Sequence, residues 1–153
     1  MSKNIQGNKI KMKSNQNKLK CKRIVGGLTE GKPIFSDQPI NFLSMMDIGT
    51  GKISDTKHNL NNQSLKNSIL VFPNAIGSSV GAYTIFSLKN NNTSPNGIIC
   101  TNSVDITTAS GCAISNIPLV YIEQNKLNDY RLNNNKYIEK IVIDAEDEYI
   151  IFQ

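Results

Sequence analysis

Short apolar runs alternate with polar, asparagine-rich segments along most of the chain, and their spacing predicts where the elements lie. Residues 1–18 contain almost no large apolar side chains, so we expect a flexible tail there and a single domain over 19–153. Two apolar runs that end at turn residues predict short strands at 23–25 and 32–35.

The middle of the chain has a different pattern, because strand-like apolar runs alternate there with helix-length segments. In the first helical segment Val80, Tyr83, Phe86 and Leu88 recur at about three-residue steps and are predicted to face the core. Alternation of strands and helices with short connections implies a right-handed parallel βαβαβ unit. The predicted strands are 68–72, 97–100 and 118–122, and the predicted helices are 79–89 and 106–115.

Polar stretches surround this unit. Residues 41–58 carry glycine and aspartate with little periodicity, which predicts a long loop that continues over the surface through 59–67. No element is predicted for the polar stretch 124–136, while apolar runs at 138–144 and 149–152 predict a closing hairpin. The expected fold class is therefore α/β, with a parallel core and flanking strands.

The charge distribution separates a basic tail from an acidic remainder. The net charge is +5, but residues 1–23 hold eight basic groups and no acid, which leaves nine basic and twelve acidic residues elsewhere. A basic tail can contact nucleic acid or an acidic partner. No RGG repeat, interleaved aromatic residue or known binding module accompanies these lysines, so we expect a solvated extension and no nucleic-acid ligand.

Membrane segments and cysteine motifs are both missing from the sequence. No stretch approaches the roughly 20 apolar residues that cross a bilayer, and no apolar segment follows the basic N-terminus as in a secretory signal. We therefore expect a cytoplasmic location without a membrane partner. Cys21, Cys100 and Cys112 lie far apart without a Cys-x-x-Cys pair, so we expect buried free thiols and no metal site within this chain.

The stretch Gly77-Ser78-Ser79 follows a predicted parallel strand and opens a predicted helix, which is where α/β folds place ligands. Two interpretations are equally open at this point. One of the serines caps the helix, or the N–H groups of the first turn form an anion pocket. The stretch is neither a P-loop nor a Gly-x-Ser-x-Gly nucleophile elbow.

A serine that acts as nucleophile or base needs an activating group, and this chain offers few. His58 is the single histidine and is expected to be solvated on a polar loop, and the acids at 144–148 predict a solvated turn. On these residues alone the chain looks like half of a site.

Three segments, in the same order and with similar spacing, resemble the small, swivelling subunit of the aconitase-X family over roughly residues 20 to 144. They are "NFLSMMDIGTGKISDTKH", "ILVFPNAIGSSVGAY" and "NTSPNGIICTNSVDITTASGCAISNIPLV". The resemblance implies a swivelling β/β/α domain. The chain departs from the family pattern at Ile76, where an arginine often precedes the Gly-Ser-Ser motif.

The resemblance implies a heteromeric hydro-lyase that is inactive without its large aconitase-X-type subunit. That subunit would hold an iron–sulfur cluster, of the 4Fe–4S type, whose iron acts as a Lewis acid on the departing hydroxyl. The reaction would dehydrate (R)-5-phosphomevalonate to trans-anhydromevalonate 5-phosphate, in the mevalonate route to isoprenoids. Two alternatives stay open: a hydroxyproline-type dehydratase of the same family, or a non-catalytic scaffold or nucleic-acid-binding protein.

The family motif also assigns roles to residues of this chain. By order within Gly-Ser-Ser, Ser78 corresponds to the base that accepts the substrate proton, with Ser79 as the alternative. Gly77 and Ser79 would shape the substrate-binding pocket or donate hydrogen bonds in it. A serine alkoxide forms near neutral pH only where N–H groups and cations stabilise its charge.

Overall fold

The computed structural model describes residues 17–153, and residues 1–16, which hold most of the predicted tail, lie outside it. This part of the chain contains ten strands and four helices. The strands are β1 (Lys18–Lys20), β2 (Lys22–Val25), β3 (Leu28–Phe35), β4 (Met46–Asp47), β5 (Lys52–Ile53), β6 (Ser68–Phe72), β7 (Gly97–Cys100), β8 (Leu119–Tyr121), β9 (Ile141–Asp144) and β10 (Tyr149–Phe152). The helices are α1 (Phe42–Met45), α2 (Gly81–Asn90), α3 (Ile106–Ser115) and α4 (Gln124–Asn134).

Eight of the strands form one mixed sheet in the order β1-β10-β9-β3-β6-β7-β8-β2. Strands β3, β6, β7 and β8 run parallel, and the other pairs are antiparallel. The two edge strands, β1 and β2, are consecutive in the chain and are separated only by Cys21. Because the chain itself joins the two edges, the sheet curls back on itself.

The central strands β6 and β7 are buried along their whole length, so their alternate residues enter two different cores. Ile69, Val71 and Ile99 belong to an inner core enclosed by the curled sheet. Leu70 and Phe72 belong to an outer core, which the 40–65 segment and helices α2 and α3 cover. This two-sided burial explains why both runs are almost purely apolar.

The predicted parallel βαβαβ unit and the α/β class are confirmed, and strand β6, strand β7 and helix α3 have the predicted bounds. The prediction of an element-free stretch at 124–136 is wrong, because α4 occupies most of it. Helix α4 lacks an apolar stripe, since Leu127 is its single fully buried residue, and Tyr130 stacks on Phe152 with ring centroids 4.5 Å apart. With so few residues of α4 in contact with the core, its sequence shows almost no helical periodicity of apolar residues.

The long loop predicted at 41–58 contains α1 and the β4–β5 hairpin, and its predicted surface continuation is also partly wrong. Leu60 and Leu65 are buried in the outer core, although asparagine and other polar residues surround them in the sequence. Isolated apolar residues in a polar stretch can therefore cover a core without forming a regular element. None of the helices within 17–153 is long and apolar enough to span a bilayer.

The core-facing side of α2 differs from the prediction. Val80, Tyr83 and Phe86 are exposed, and the core is contacted instead by Ala82 and Ile85, each one position before a predicted residue, together with Leu88. Leu88 alone among the predicted positions is buried. The physical reason is the close packing of α2 on α3, which we describe with the site below.

His58 is buried, contrary to the expectation of a solvated histidine. Its Nε2 lies 3.0 Å from the carbonyl oxygen of Pro39, and its Nδ1 accepts a hydrogen bond from the Leu60 backbone N–H at 3.0 Å. The first contact joins two segments that are 19 residues apart, and the second fixes the turn from His58 to Leu60. The imidazole therefore holds the 39–60 region together and has no free nitrogen for catalysis.

We predict that His58→Ala lowers the free energy of unfolding by about 2–4 kcal/mol, since it removes two hydrogen bonds and leaves buried polar groups without partners. Denaturant unfolding measures the change. The exposed neighbour Lys57 provides the control, because Lys57→Ala should change stability by less than about 0.5 kcal/mol. Loss of activity without loss of stability in His58→Ala would contradict a structural role.

Candidate functional site

The loop between β6 and α2 carries Gly77, Ser78 and Ser79 at the surface, at the carboxyl end of the parallel strand β6. Helix α2 begins at Gly81, two residues later than predicted. The Gly81 N–H donates to the carbonyl oxygen of Ser78 at 3.0 Å, and the Ala82 N–H donates to that of Ser79 at 3.1 Å. The two serines therefore form the turn that leads into the helix, and both are exposed.

The Ser78 hydroxyl and the neighbouring N–H groups form the chemical part of this loop. Ser78 Oγ accepts a hydrogen bond from the Val80 N–H at 3.2 Å. Within residues 17–153, the backbone N–H groups of Ser78 and Ser79 donate to no atom. An N–H that donates to Ser78 Oγ stabilises negative charge on that oxygen, and the free N–H groups beside it can receive an anion.

Gly77 is required by the backbone geometry of the loop. Its φ is +87°, in the left-handed region that side chains other than glycine rarely adopt. A Cβ at this position would overlap the side-chain amide of Asn41. Asn41 in turn accepts a hydrogen bond from the Ser44 N–H through its Oδ1 and caps α1. The glycine thus lets α1 approach the serine loop closely.

Backbone and side-chain hydrogen bonds fix the loop from two sides. The Ile76 N–H donates to the Ile40 carbonyl oxygen at 3.0 Å, and the Ala75 N–H donates to Asp105 Oδ1 at 2.9 Å. Asp105 also caps α3, because its Oδ2 accepts from the Thr108 N–H at 2.9 Å. The position of Ser78 is therefore tied to the start of α3.

Sequence reasoning did not identify Asn41 and Asp105 as parts of this site. Asp105 had a detectable signal, since an aspartate just before a helix is a preferred N-cap. Nothing in the sequence indicated that the same carboxylate also holds the serine loop. Asn41 had no comparable signal, because the short α1 that it caps lies in a stretch without periodicity.

Helices α1, α2 and α3 meet next to the serine loop around Gly81. A Cβ at Gly81 would lie 3.1 Å from the Thr107 methyl group and 3.4 Å from the Leu43 backbone nitrogen. Farther along, a Cβ at Gly111 would overlap Ile85. Small residues at these crossings allow the helices to pack closely, so α2 buries Ala82, Ile85 and Leu88, while Tyr83 and Phe86 point away from the core.

The cysteines do not form a metal site in the described part of the chain. No three histidine, cysteine or acidic side chains within 17–153 lie close enough together to hold a metal ion. Burial, with a contribution from Glu148 and Asp144, raises the pKa of the Cys21 thiol to about 12. Burial also raises the pKa of Cys100 and Cys112. All three thiols are free and buried, and they belong to no group of ligands within 17–153.

The fold and its exposed serine loop define an α/β domain of the swivelling type. The domain carries one half of a site, and few of its own residues could activate a serine there. The chain belongs to the aconitase X swivel domain family, whose model matches residues 18–151. The match spans the serine loop and almost all of the described residues.

Relatives and solved structures agree with this assignment. The phosphomevalonate dehydratase small subunit of Thermococcus kodakarensis is 44% identical over 103 residues, 67% of this chain and 77% of the relative. That of Methanococcoides burtonii is 41% identical over 103 residues, 67% of this chain and 74% of the relative. The crystal structure of Thermococcus kodakaraensis aconitase X in its holo-form superposes with a TM-score of 0.77 at 36% identity, covering 89% of this chain and 98% of that one.

We predict that Gly77→Ala lowers the free energy of unfolding by about 1–3 kcal/mol, because alanine is strained at a positive φ and its Cβ overlaps Asn41. Chemical denaturation measures the loss. Gly49→Ala is the matched control, since its Cβ would meet only Asp47 Oδ1, at 3.4 Å. Equal stability losses in the two variants would show that the loop conformation is not what requires Gly77.

Proposed function

We propose that this chain is the small subunit of a heteromeric hydro-lyase that dehydrates (R)-5-phosphomevalonate to trans-anhydromevalonate 5-phosphate. The observation that carries the proposal is the exposed Ser78 hydroxyl, which lies at the carboxyl end of β6 beside two backbone N–H groups without acceptors in the described chain. The names of the relatives support the substrate and the subunit role. Family membership supports the reaction class.

Ser78 is the proposed general base. Dehydration breaks the C–H bond next to the substrate carboxylate, and its electron pair forms the double bond while the next carbon loses hydroxide. The hydroxide becomes water with a proton from solvent, and Ser78 later returns the proton that it has taken to solvent. Ser78 Oγ takes the proton. The hydrogen bond from the Val80 N–H favours the alkoxide form that this step requires. No charged residue occurs between residues 72 and 83, so the cations that complete the activation belong to the partner subunit in this proposal.

Gly77 and Ser79 are proposed to bind the substrate. The left-handed conformation of Gly77 allows close approach to the backbone, and the Ser79 N–H and hydroxyl are exposed donors. An anionic group of the substrate, its carboxylate or its phosphate, suits these donors. The same geometry is compatible with the anion-pocket interpretation of the motif. No side chain caps α2 at its N-cap residue Val80, and Ser78 Oγ accepts from the Val80 N–H ahead of the helix.

The iron–sulfur cluster of the proposed enzyme is assigned to the large subunit. The described part of this chain does not fit a cluster, since its cysteines are buried and form no ligand group. The contribution of this chain is therefore the base and the anion pocket.

The large subunit is proposed to dock on an apolar face that surrounds the serine loop. Tyr83 is 68% exposed and Phe86 39%, on one side of α2, and Ile106 at the start of α3 is 73% exposed. Leu43 and Val80, which flank the junction at Gly81, are also exposed. Partner interfaces are rich in aromatic residues of this kind and poor in charge at their centre.

The distribution of charge supports the same face. Charged residues make up 19% of the whole chain, yet Lys89 and Asp105 are the only ones between residues 72 and 122. Asp105 is occupied by the hydrogen bonds described above. A partner that covers this face therefore buries few charges, which lowers the cost of removing water from the interface.

We predict that Ser78→Ala, co-produced with the large subunit, lowers kcat for (R)-5-phosphomevalonate at least about 100-fold and leaves the complex intact, because only the proton acceptor is removed. Turnover is measured by mass spectrometry of the product, and complex formation by size-exclusion chromatography.

Ser79→Ala is the matched control for this variant and should retain kcat within about tenfold. Normal turnover in Ser78→Ala, with the loss appearing in Ser79→Ala instead, would move the base to Ser79. A wild-type complex that dehydrates hydroxyproline but not phosphomevalonate would refute the proposed substrate.

We also predict that Tyr83→Glu and Ile106→Glu each weaken binding of the large subunit at least about 30-fold, because a charge is placed at the centre of a desolvated interface. Leu28→Glu provides the control. It makes the same chemical change at a residue 71% exposed, at the amino end of β3 and away from the serine loop. Calorimetry with purified subunits measures the affinity of each variant for the large subunit. Equal weakening by all three variants would contradict the assigned face.

A further inference from the structure

Asn41, which touches the serine loop, has hydrogen-bond partners for nearly all of its polar atoms. Its backbone N–H donates to Met45 Sδ at 3.4 Å, and its carbonyl oxygen accepts from the Met45 N–H at 2.9 Å. Its side-chain Oδ1 accepts from the Ser44 N–H at 3.2 Å. Because the amide oxygen is held by Ser44, the Nδ2 group occupies the other side of the amide.

Nδ2 is the one polar group of Asn41 that has no partner. Within residues 17–153 it donates to no atom. It is also not enclosed, because Ser115 Oγ is the single buried side-chain nitrogen or oxygen in that range without a hydrogen-bond partner. Asn41 therefore presents a free donor at the surface, in an orientation that the rest of the residue fixes.

The free donor lies against Gly77. Nδ2 is the atom closest to the position that a Cβ would take there, and Cγ and Oδ1 follow at 2.6 and 2.8 Å. The amide thus lies with its flat face against the glycine. Since a carbon–carbon bond adds about 1.5 Å, Nδ2 is within about 4 Å of the Gly77 Cα, and Gly77 directly precedes Ser78.

Two other asparagines at this edge of the sheet use their amide donors internally. Asn74 Nδ2 donates to the Ala75 carbonyl oxygen at 2.9 Å, and Asn102 Nδ2 donates to Asn74 Oδ1 at 3.1 Å. These two residues follow β6 and β7, whereas Asn41 follows β3. Of the three, Asn41 is the one whose amide is available to a ligand at the serine loop.

We infer that Asn41 Nδ2 donates a hydrogen bond to the carboxylate of the substrate, next to the carbon from which Ser78 takes the proton. The inference rests on the proposed function, which left the carboxylate and the phosphate as alternative anions for this loop. The carboxylate is attached directly to the carbon that loses its proton, whereas three further carbons and an ester oxygen separate that carbon from phosphorus. A donor beside Gly77 is therefore placed for the carboxylate.

This hydrogen bond contributes to the reaction as well as to binding. When the C–H bond breaks, negative charge spreads onto the carboxylate, so a donor fixed at its oxygen binds the transition state more strongly than the ground state. The contact of Oδ1 with the Ser44 N–H holds the same amide in place. The donor therefore needs no reorganisation when the charge develops.

Asn41→Ser removes the donor and keeps the cap of α1. Serine is as good an N-cap as asparagine, but its hydroxyl is too short to replace Nδ2 beside Gly77. In the complex with the large subunit we expect kcat/KM for (R)-5-phosphomevalonate to fall about 10–100-fold, the usual effect of losing a hydrogen bond to a charged group. The midpoint of denaturant unfolding should stay unchanged.

Asn41→Asp also keeps the cap but replaces the donor with a negatively charged oxygen that faces the carboxylate. The loss of kcat/KM should therefore exceed that of Asn41→Ser. Asn133→Ser is the matched control, because it makes the same change at an exposed asparagine near the end of α4. It should leave kcat/KM within about twofold.

Binding of substrate fragments to the complex distinguishes the two anions. (R)-Mevalonate carries the carboxylate without the phosphate, and inorganic phosphate represents the other end of the substrate. Ligand-observed NMR should show about tenfold weaker binding of mevalonate in Asn41→Ser and unchanged binding of phosphate. Weaker binding of phosphate with unchanged binding of mevalonate would overturn the inference.

Three other outcomes would also overturn it. Equal kcat/KM in Asn41→Ser and the wild type would show that the amide serves α1 alone, and so would a loss of turnover that parallels a loss of stability. Weaker binding of the large subunit, with unchanged turnover of the assembled complex, would assign the amide to the interface. A wild-type complex without turnover is distinguishable from these, since it would refute the proposed function and the inference with it.

Discussion

Burial of β6 and β7 on both faces is the constraint on which the rest of the domain depends. Two strands with no solvent-facing side need cover on both sides. The curled sheet and α4 supply it around Ile69 and Ile99, and α2, α3 and the 40–65 segment supply it around Leu70 and Phe72. With the strand faces occupied, exposed polar backbone is confined to the strand ends, where the serine loop lies.

The loop is held rigidly by residues that serve two purposes each. Asp105 caps α3 and holds the Ala75 N–H, and Asn41 caps α1 and packs against Gly77. Because these contacts come from different helices, the direction of the Ser78 hydroxyl follows from the packing of the outer core. The proton-accepting role proposed for Ser78 needs such support, since small displacements of a catalytic group reduce its rate strongly.

The parallel unit was predictable because its strands are apolar runs of the right length, and the helix α3 shows clear boundaries. The sequence predicted where the serine loop lies but not its conformation, since the free N–H groups and the Asn41 contact depend on distant segments. The exposed side of α2 was mispredicted for a physical reason. Large apolar residues usually face a core, but the close crossing at Gly81 and Gly111 places Ala82 and Ile85 inward and Tyr83 outward.

The same misprediction is informative about function. A helix that places Ala82 inward and Tyr83 outward is not optimised for a free-standing domain, because exposed aromatic area is unfavourable in water. A partner that covers it removes this cost.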